Sequence, residues 1–392
     1  MAAEGSTRWG VVGMAVLAGV VAAMHVGKLP PALPRIREDL GLSLVAGGFV
    51  ISLFNVLGMS LSVFVGGLCD WLGRRRLVIV GFSCLAAGGA LAALSHTLPP
   101  LMISRLVEGV GFIAISVSMP AVVLAAASER DRPMALSLWS VYTPTGMTLV
   151  LLSAPVALEV VGWRGIWWVI AALCPFMAYG VLWAMRQVTL PAPATGRLVG
   201  TLREAVSSPG LLLLALIFCV YAFQWVTLMV WLPTFLTESL SLDLAQASVA
   251  TALVVLSNIV GCLAGGWLLR GGRSARRLVL LGGAAMGVAE IGIFLPVLGD
   301  GARIALCIAF SLLGGLIPPG LFGCVPLRAP SPRHLGAGNG MLMQGSALGQ
   351  FAGAPIVAAT VSAAGNDWRF ALIPMLTACA VSIAAATRMQ RD

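Results

Sequence analysis

Five ionisable side chains fall inside long apolar stretches of this sequence, where a charge is costly unless it has a task. They are His25, Lys28, Arg105, Glu108 and Glu290, and Lys28 is the only lysine among the 24 basic residues. A charge at the centre of a bilayer costs about 3 kcal/mol on insertion scales, so such residues are candidates for ligand binding or proton transfer. His25 and Lys28 lie about one turn apart on one helix face. Together they favour an anionic ligand, whose binding could depend on the protonation of His25.

Three of these residues are candidates for coupling ligand movement to an ion. Arg105 and Glu108 are three residues apart and can neutralise each other on one helix, so a purely structural pair is the competing interpretation. Glu290 stands alone near the middle of its apolar stretch, where an isolated carboxyl group is suited to protonation. Lys28 also has a competing interpretation, since a lysine near the membrane interface can extend into the headgroups. We predict Arg105, Glu108 and Glu290 as the coupling residues.

Neutral polar side chains in the same stretches form a second set of candidates. Spacings of three and four residues place Tyr221, Gln224 and Trp225 on one helix face. Polar side chains in membrane bundles often serve only as hydrogen bonds between helices, and that interpretation competes for each of them. With the first pair, the predicted substrate-binding residues are His25, Lys28, Asn55, Tyr142, Tyr221, Gln224, Trp225 and Gln344.

Membrane-spanning helices must position these side chains. The chain has 392 residues, of which 59% are hydrophobic and 10% charged, and its mean hydropathy is +0.97, values outside the range of soluble domains. Apolar stretches of about 20 residues are long enough to span a bilayer as helices, and a β-barrel would show shorter, alternating segments. We therefore predict an all-α membrane protein with spans near residues 10–31, 43–65, 77–96, 99–124, 134–158, 165–185, 210–232, 244–268, 277–298, 302–324, 336–360 and 368–387.

The arginines between these spans indicate the orientation. Seventeen arginines fall in the loops and ends on one side, including Arg197 and Arg391, against five on the other. Because basic residues accumulate on the cytoplasmic side, we predict that both termini are cytoplasmic, in a bacterial-type inner (plasma) membrane. The N-terminal residues lack the small-residue cleavage site of a signal peptide, so we expect the first span to be retained.

The chain divides into two similar parts. A polar stretch at 187–209 separates an N-terminal half, residues 1–186 with six spans, from a C-terminal half, residues 210–392 with six spans. GGLCDWLGRRRLV from Gly66 is echoed by GGWLLRGGRSARRLV from Gly265, and the pair Trp163-Arg164 is echoed by Trp368-Arg369. Two repeated halves around a central cavity are typical of secondary transporters, in which one half rocks against the other.

The loop after the second span carries the most specific motif. Gly66, Asp70, Gly73, Arg74 and Arg75 fit the pattern G-x-x-x-D-x-x-G-R-[RK]. Arg105, Gly109 and Gly111 fit R-x-x-x-G-x-G in the fourth span, and ALPRIREDLGLS follows the first. On these residues the whole chain resembles the major facilitator superfamily, and the segment from Ser118 to Ser140 is similar to its cyanate-transporter-type branch.

The resemblance implies roles for the loop residues. Asp70 would make a charge-assisted contact between the halves that must break as the transporter changes direction, and Gly73, Arg74 and Arg75 would complete this gate. The arginines could instead only anchor the topology. In the second half Leu269 stands where the acid would be, so no equivalent gate is expected there. The resemblance also implies that the first, fourth, seventh and tenth helices line the cavity.

Other function classes fit the sequence poorly. The chain has no phosphate-binding GxxxxGK[ST], and its eight cysteines show no CxxC or metal-ligand spacing, so we expect neither an enzyme nor a cofactor or metal site. We predict a monomer that binds a small solute, protons and membrane lipid but no nucleic acid. The expected function is proton-coupled symport of a small polar or anionic solute by alternating access. Proton-driven efflux of drugs or metabolites is the alternative, although Ala154-Pro155 lacks the glycine pair of the exporter pattern G-P-x-x-G-G.

Overall fold

The computed structural model describes residues 6–42, 44–190 and 198–389, and every regular element within them is an α-helix or a short 3-10 helix. The middle of the predicted linker, Arg197 and Arg391 lie outside the described residues. The α-helices are α1 Trp9–Gly27, α2 Leu29–Leu40, α3 Leu44–Leu72, α4 Arg74–Ala93, α5 Leu98–Ala126, α6 Arg132–Ser140, α7 Tyr142–Val160, α8 Gly162–Ala184, α9 Leu198–Val206, α10 Pro209–Leu240, α11 Leu244–Arg270, α12 Ala275–Phe294, α13 Asp300–Gly314, α14 Ile317–Arg328, α15 Leu335–Ala363 and α16 Leu372–Thr387.

Within the described residues, twelve stretches of helix are long and apolar enough to cross a membrane, so the predicted fold class is confirmed. Three of these spans are broken into two α-helices each: α1 with α2, α6 with α7, and α13 with α14. Because the number of crossings is even, Trp9 and Thr387 lie on the same side of the membrane. We call this side the terminal face and the other side the opposite face.

The first span extends further than predicted, from Trp9 to Leu40. Pro30 and Pro31 cannot donate backbone hydrogen bonds, so α1 ends at Gly27 and α2 starts with these prolines in its first turn, where proline is well tolerated. Lys28 lies at the junction in a right-handed helical conformation, and its N–H still donates to Met24 O at 3.0 Å. The first span is therefore broken at Lys28, and helical structure continues after the break.

The linker between the halves also contains a helix. α9 lies at the terminal face against α3, with Leu198 and Leu202 over Gly67. Glu204 on α9 lies 2.9 Å from His334 at the start of the eleventh span. The linker therefore contacts both halves near the terminal face.

The halves meet through two groups of spans. The second span, α3, packs against the eleventh, α15, and the fifth span packs against the eighth and tenth. A β-carbon at Gly66 would overlap the backbone oxygen of Gly336, and one at Gly340 would overlap that of Ser62. Glycine is required at these contacts because the two backbones touch.

Candidate functional site: a buried charge cluster and the contacts between the halves

Four of the five predicted ionisable residues lie together inside the N-terminal half. His25 on α1, Lys28 at its end, and Arg105 and Glu108 on α5 are all at most 1% exposed. We call these four residues the charge cluster. The structure thus brings together two pairs that are separated by about 80 positions in the sequence.

Glu108 is at the centre of the charge cluster. Its Oε1 accepts a hydrogen bond from Lys28 Nζ at 2.6 Å and lies 2.9 Å from His25 Nδ1. Its Oε2 accepts from Arg105 Nη1, which also donates to the backbone oxygen of His25 at 3.1 Å. Charged groups this deeply buried require such pairing, and here one carboxylate serves two cations.

His25 has two possible proton arrangements in this geometry. Its Nδ1 is 2.9 Å from Glu108 Oε1 and 3.0 Å from Lys28 Nζ. A protonated Nδ1 donates to Glu108, whereas an unprotonated Nδ1 accepts from Lys28, and one nitrogen cannot do both. The choice between partners therefore depends on where a proton sits.

Apolar and aromatic groups enclose the charge cluster. The Lys28 ammonium lies 4.6 Å from the centre of the Trp167 ring, and the Arg105 guanidinium lies 4.6 Å from that of Phe54, both within the range of cation–π attraction. His25 Nε2 is 3.6 Å from Cys174 Sγ on α8. Phe54 and Trp167 were not predicted as site residues, because the sequence carries no signal for these contacts other than the aromatic character of the two side chains.

The first, second, third, fourth and sixth spans surround the charge cluster. Gly88 on α4 faces Glu108, and Gly89 faces Ala171 on α8 and His25. Lys28 and His25 therefore lie in the interior of the N-terminal half and not at an exposed mouth. With a neutral His25, the two cations and one carboxylate leave a formal charge of +1 inside the membrane.

A row of aromatic rings connects the charge cluster to the interface between the halves. Successive ring centres are 4.2 to 6.5 Å apart. The row crosses from the N-terminal to the C-terminal half where Trp139 meets Phe322 edge-on at 6.5 Å. We call this set the aromatic row; its members in order are Phe54, Phe112, Tyr142, Trp139, Phe322, Phe218 and Tyr221.

Most of the predicted neutral substrate residues form hydrogen bonds between helices. Tyr142 Oη lies 3.3 Å from Ser116 Oγ, and Tyr221 Oη accepts from Asn258 Nδ2 at 3.1 Å. Trp225 Nε1 donates to Ser311 Oγ at 3.0 Å. These contacts correspond to the competing structural interpretation of the three residues.

The three remaining candidates differ in their contacts. Gln344 Oε1 on α15 accepts the N–H of Val63 on α3 at 3.2 Å, so it joins the halves. Asn55 is half-buried on α3. Gln224 donates to Val220 O at 3.0 Å, while its buried Oε1 has no hydrogen-bond partner among the described residues.

The predicted gate residues form a contact between the halves at the terminal face. Asp70 is 1% exposed and accepts the backbone N–H groups of Gly336 at 2.9 Å and Ala337 at 2.8 Å, in the first turn of α15. Arg74 Nη2 donates to Asp70 Oδ1 at 3.0 Å, and Gly73 turns the chain with a φ of 87°. A carboxylate at a helix N-terminus satisfies free N–H groups and the helix dipole at once. Arg75 instead donates to Met185 O at 3.2 Å, at the end of the sixth span.

A second contact between the halves was not predicted. Arg270 Nη2 at the end of α11 lies 3.0 Å from Asp131 Oδ1 at the start of the fifth span. About two turns further into the membrane, Ser137 Oγ donates to Cys262 O at 2.5 Å. Arg270 follows Leu269, which occupies the position of the missing acid. The repeated motif therefore indicated where this contact lies, but not that Asp131 is the partner.

Glu290 lies apart from the charge cluster, between α12 and α16. It is fully buried, and neither carboxylate oxygen has a hydrogen-bond partner among the described residues. One turn before it, Gly287 packs against Cys379 of α16. Burying a carboxyl group without a partner costs free energy, most of all when it is ionised.

The fold and these buried contacts define a helical membrane protein with twelve spans and two joined halves. The sequence profile of the Major Facilitator Superfamily matches residues 15–354. The chain belongs to the Major Facilitator Superfamily, as its motifs indicated. It is thus a member of a transporter family and not an enzyme.

Curated relatives match parts of the chain. The uncharacterized MFS-type transporter YfiU of Bacillus subtilis is 30% identical over 41% of this chain and 30% of its own length. The lincomycin resistance protein of Streptomyces lincolnensis is 26% identical over 54% of this chain and 42% of its own length. The chain thus aligns with less than half of the length of these relatives.

Solved structures match nearly the whole chain. The fucose:proton symporter FucP of E. coli has a TM-score of 0.78 and 16% identity, covering 98% of this chain and 100% of that chain. The human organic anion transporter MFSD10 has a TM-score of 0.72 and 21% identity, covering 95% of this chain and 99% of that chain. At these identities the likeness shows the shared fold.

Proposed function

We propose that this protein is a secondary active transporter that couples a small polar or anionic solute to protons and moves it across an inner (plasma) membrane by alternating access. The charge cluster is the observation that carries this proposal. Burying two cations, a carboxylate and a histidine inside the membrane costs stability. Their presence there therefore points to a function. Simple packing between α1 and α5 would be served better by apolar residues.

The charge cluster supports proton coupling through His25, Lys28 and Glu108. A proton on His25 Nδ1 draws the ring to Glu108, and its loss lets the ring accept from Lys28. Around this proton stand Arg105 from α5 and Cys174 from α8, which complete the titratable and charged neighbours. Because these contacts join α1 to α5, a change of hydrogen-bond partner alters the interaction between the two spans. Glu290 is a second proton site in this proposal.

The charge balance supports an anionic solute. The formal charge of +1 is enclosed by aromatic rings, and an anion bound between the halves would offset it. Asn55 and Gln224 are the best placed neutral groups for hydrogen bonds to the solute, since Gln224 Oε1 has no partner among the described residues. Tyr142, Tyr221, Trp225 and Gln344 would act mainly by holding the helices that form the site.

The contacts between the halves support alternating access. We assign the terminal face to the cytoplasm from the excess of arginines on that side. Asp70 and Asp131 then close the cytoplasmic side, and solute would enter from outside. In the reverse step the halves 1–186 and 210–392 rock apart at these contacts while the linker 187–209 keeps them connected.

Proton-driven efflux is the second candidate. The likeness to the lincomycin resistance protein favours it, since that relative is named for resistance to a drug. In this case the charge cluster would hold the proton that is exchanged for the drug. The two candidates differ in the direction of solute movement relative to the proton.

Transport in proteoliposomes tests the proposal. Labelled organic anions and lipophilic cationic dyes are offered under an imposed proton gradient, and we expect an anion to accumulate with inward proton flow. Lys28→Met should abolish the dependence on the gradient, because the unprotonated Nδ1 of His25 then has no ammonium group from which to accept. Extrusion of varied cations by inward protons would refute symport and support the efflux candidate.

A matched control separates coupling from folding. Arg35→Gln changes a basic residue of the same span whose side chain is 67% exposed and only loosely paired with Glu38. It should leave membrane expression and gradient-dependent uptake unchanged. Equal losses in both variants would contradict the role of Lys28.

A further inference from the structure

A basic pocket of about 500 Å³ lies at the terminal face, beside the junction of the fifth and eighth spans. It is separate from the charge cluster and from the aromatic row. We call it the basic pocket; it is lined by Arg130, Trp267, Leu268, Arg270, Gly271 and Arg273. Arg130 belongs to the N-terminal half and the other lining residues to the C-terminal half.

The basic pocket has an excess of positive charge. Three guanidinium groups line it, and Asp131, the carboxylate that meets them, is already paired with Arg270 at 3.0 Å. The nearby Glu129 pairs with Arg132 at 3.3 Å. Guanidinium groups bind phosphate oxygens through parallel hydrogen bonds, so this charge pattern fits a phosphate group.

One wall of the basic pocket is apolar and faces away from the protein. Trp267 is 67% exposed, whereas its neighbour Gly266 is packed tightly against Ser137 of the fifth span. Trp267 therefore lies on the side of α11 that faces lipid, at the level where tryptophan is enriched in membrane proteins. A soluble phosphate would not use such a wall, but the glycerol backbone and acyl chains of a lipid would.

The turn after α11 fixes one side of the basic pocket. Gly272 has a φ of 82°, and Arg273 N–H donates to Leu268 O at 3.1 Å. A left-handed glycine closes a helix end in this way. The turn holds Arg273 next to Arg270 and does not leave it on a free loop.

We propose that the basic pocket binds the phosphate group of an acidic phospholipid, held by Arg130 and Arg273, with its chains against Trp267. The bound headgroup bridges the two halves beside the contact of Asp131 with Arg270. Lipid binding therefore stabilises the arrangement in which the terminal face is closed. This regulation of the conformational equilibrium goes beyond the transport proposal and does not depend on the identity of the solute.

Lipid retention measures the site directly. The full-length protein is reconstituted with phosphatidylcholine and phosphatidylglycerol, and bound lipids are counted by native mass spectrometry. Wild type should retain phosphatidylglycerol in preference to phosphatidylcholine. The variant R130Q/R273Q should weaken this preference about 25-fold, since each basic residue near an anionic surface contributes roughly a factor of five.

Three comparisons make the test specific. R130K/R273K keeps the charge and should retain most of the preference, and Trp267→Ala should lower it even though all the arginines remain. Arg277→Gln removes an exposed arginine of the same face that does not line the pocket, and it should have no effect.

The readout involves binding and thermal stability only, so its failure is distinguishable from failure of the transport proposal. Phosphatidylglycerol should raise the unfolding temperature of wild type and not that of R130Q/R273Q. Equal retention in wild type and R130Q/R273Q would overturn the site. Equal stabilisation by millimolar inorganic phosphate in pure phosphatidylcholine would overturn its assignment to lipid.

Discussion

At the scale of single residues, Glu108 compensates the buried cations and so stabilises the charge cluster. It accepts from Lys28 and Arg105 and contacts His25, and each of these groups is buried. Removing one partner of a buried ion pair leaves an uncompensated charge, which costs about 3–5 kcal/mol. The carboxylate is more critical than either cation because it serves both.

We therefore expect Glu108→Gln to destabilise the protein strongly, and Lys28→Met to destabilise it less. In Lys28→Met the carboxylate keeps Arg105, whereas in Glu108→Gln two cations lose their partner. The double variant should be more stable than the sum of the single losses indicates, since Lys28 no longer needs neutralising. Thermal unfolding in detergent measures all three variants.

Glu38→Gln is the control for this series, because Glu38 is 76% exposed and pairs only loosely with Arg35. Exposed ion pairs contribute about 0–1 kcal/mol, so this variant should unfold at nearly the wild-type temperature. A loss in Glu108→Gln no larger than in Glu38→Gln would show that the charge cluster is not held by Glu108.

The sequence identified every member of the charge cluster but not their association. Charged residues are rare in apolar spans, which is why His25, Lys28, Arg105 and Glu108 stood out singly. Their contacts join helices about 80 residues apart, and no local pattern encodes such a distance. The burial of Lys28 could not be predicted either, because it depends on α2, a helix whose first turn contains the proline pair.

At the scale of elements, α2 explains why Lys28 is not at an exposed mouth. Leu29, Ala32 and Ile36 of α2 pack with Trp163 and Trp167 of the sixth span in one buried cluster. The position of α2 covers the charge cluster from the opposite face. Apolar length predicted the twelve spans, but it could not predict a helix whose mean composition is polar and whose start contains two prolines.

The glycine contacts between α3 and α15 lead to a prediction at this scale. Added methyl groups in Gly66→Ala or Gly340→Ala would overlap backbone atoms of the other half, which cannot move aside as a flexible side chain can. The helices must separate, and the N–H groups of Gly336 and Ala337 then lose Asp70. Hydrogen exchange by mass spectrometry should show faster exchange at the start of α15.

Gly323→Ala provides the matched control, because nothing lies within 4 Å of a β-carbon built at Gly323. It places the same substitution in a helix of the tenth span and should leave exchange at the start of α15 unchanged. Slow exchange in Gly66→Ala equal to that of wild type would mean that the halves can absorb the methyl group without separating.

At the scale of the whole molecule, two chemically different contacts between the halves close the terminal face. In one, an acid of the second span meets the N-terminus of the eleventh; in the other, an arginine that ends the eighth span meets an acid that begins the fifth. The repeated halves indicated the first contact through the motif at Asp70. They did not indicate the second, since Leu269 replaces the acid and the partner of Arg270 comes from a different loop.

Both contacts must break before the terminal face can open. Removing both should therefore shift the conformation cooperatively. Asp70→Asn keeps one acceptor for the first turn of α15 but loses the charge, and Arg270→Gln removes the ion pair with Asp131. Hydrogen bonds to charged groups contribute about 1.5–3 kcal/mol, so each single variant should shift the equilibrium toward the open terminal face by roughly tenfold or more. The double variant should populate the open state predominantly.

Electron–electron distances between spin labels at exposed Arg76 and Arg277, one in each half, measure this shift. Cys84 and Cys219, which are only partly buried, are first replaced by Ser to avoid background labelling. The experiment uses phosphatidylcholine alone, so that the loss of Arg270 is not confused with the loss of an acidic lipid. A long distance should appear weakly in the single variants and dominate in the double variant. If the double variant keeps the wild-type distance, the terminal face is held by the glycine contacts of α3 and α15, and Asp70 is a cap for α15 and not a gate.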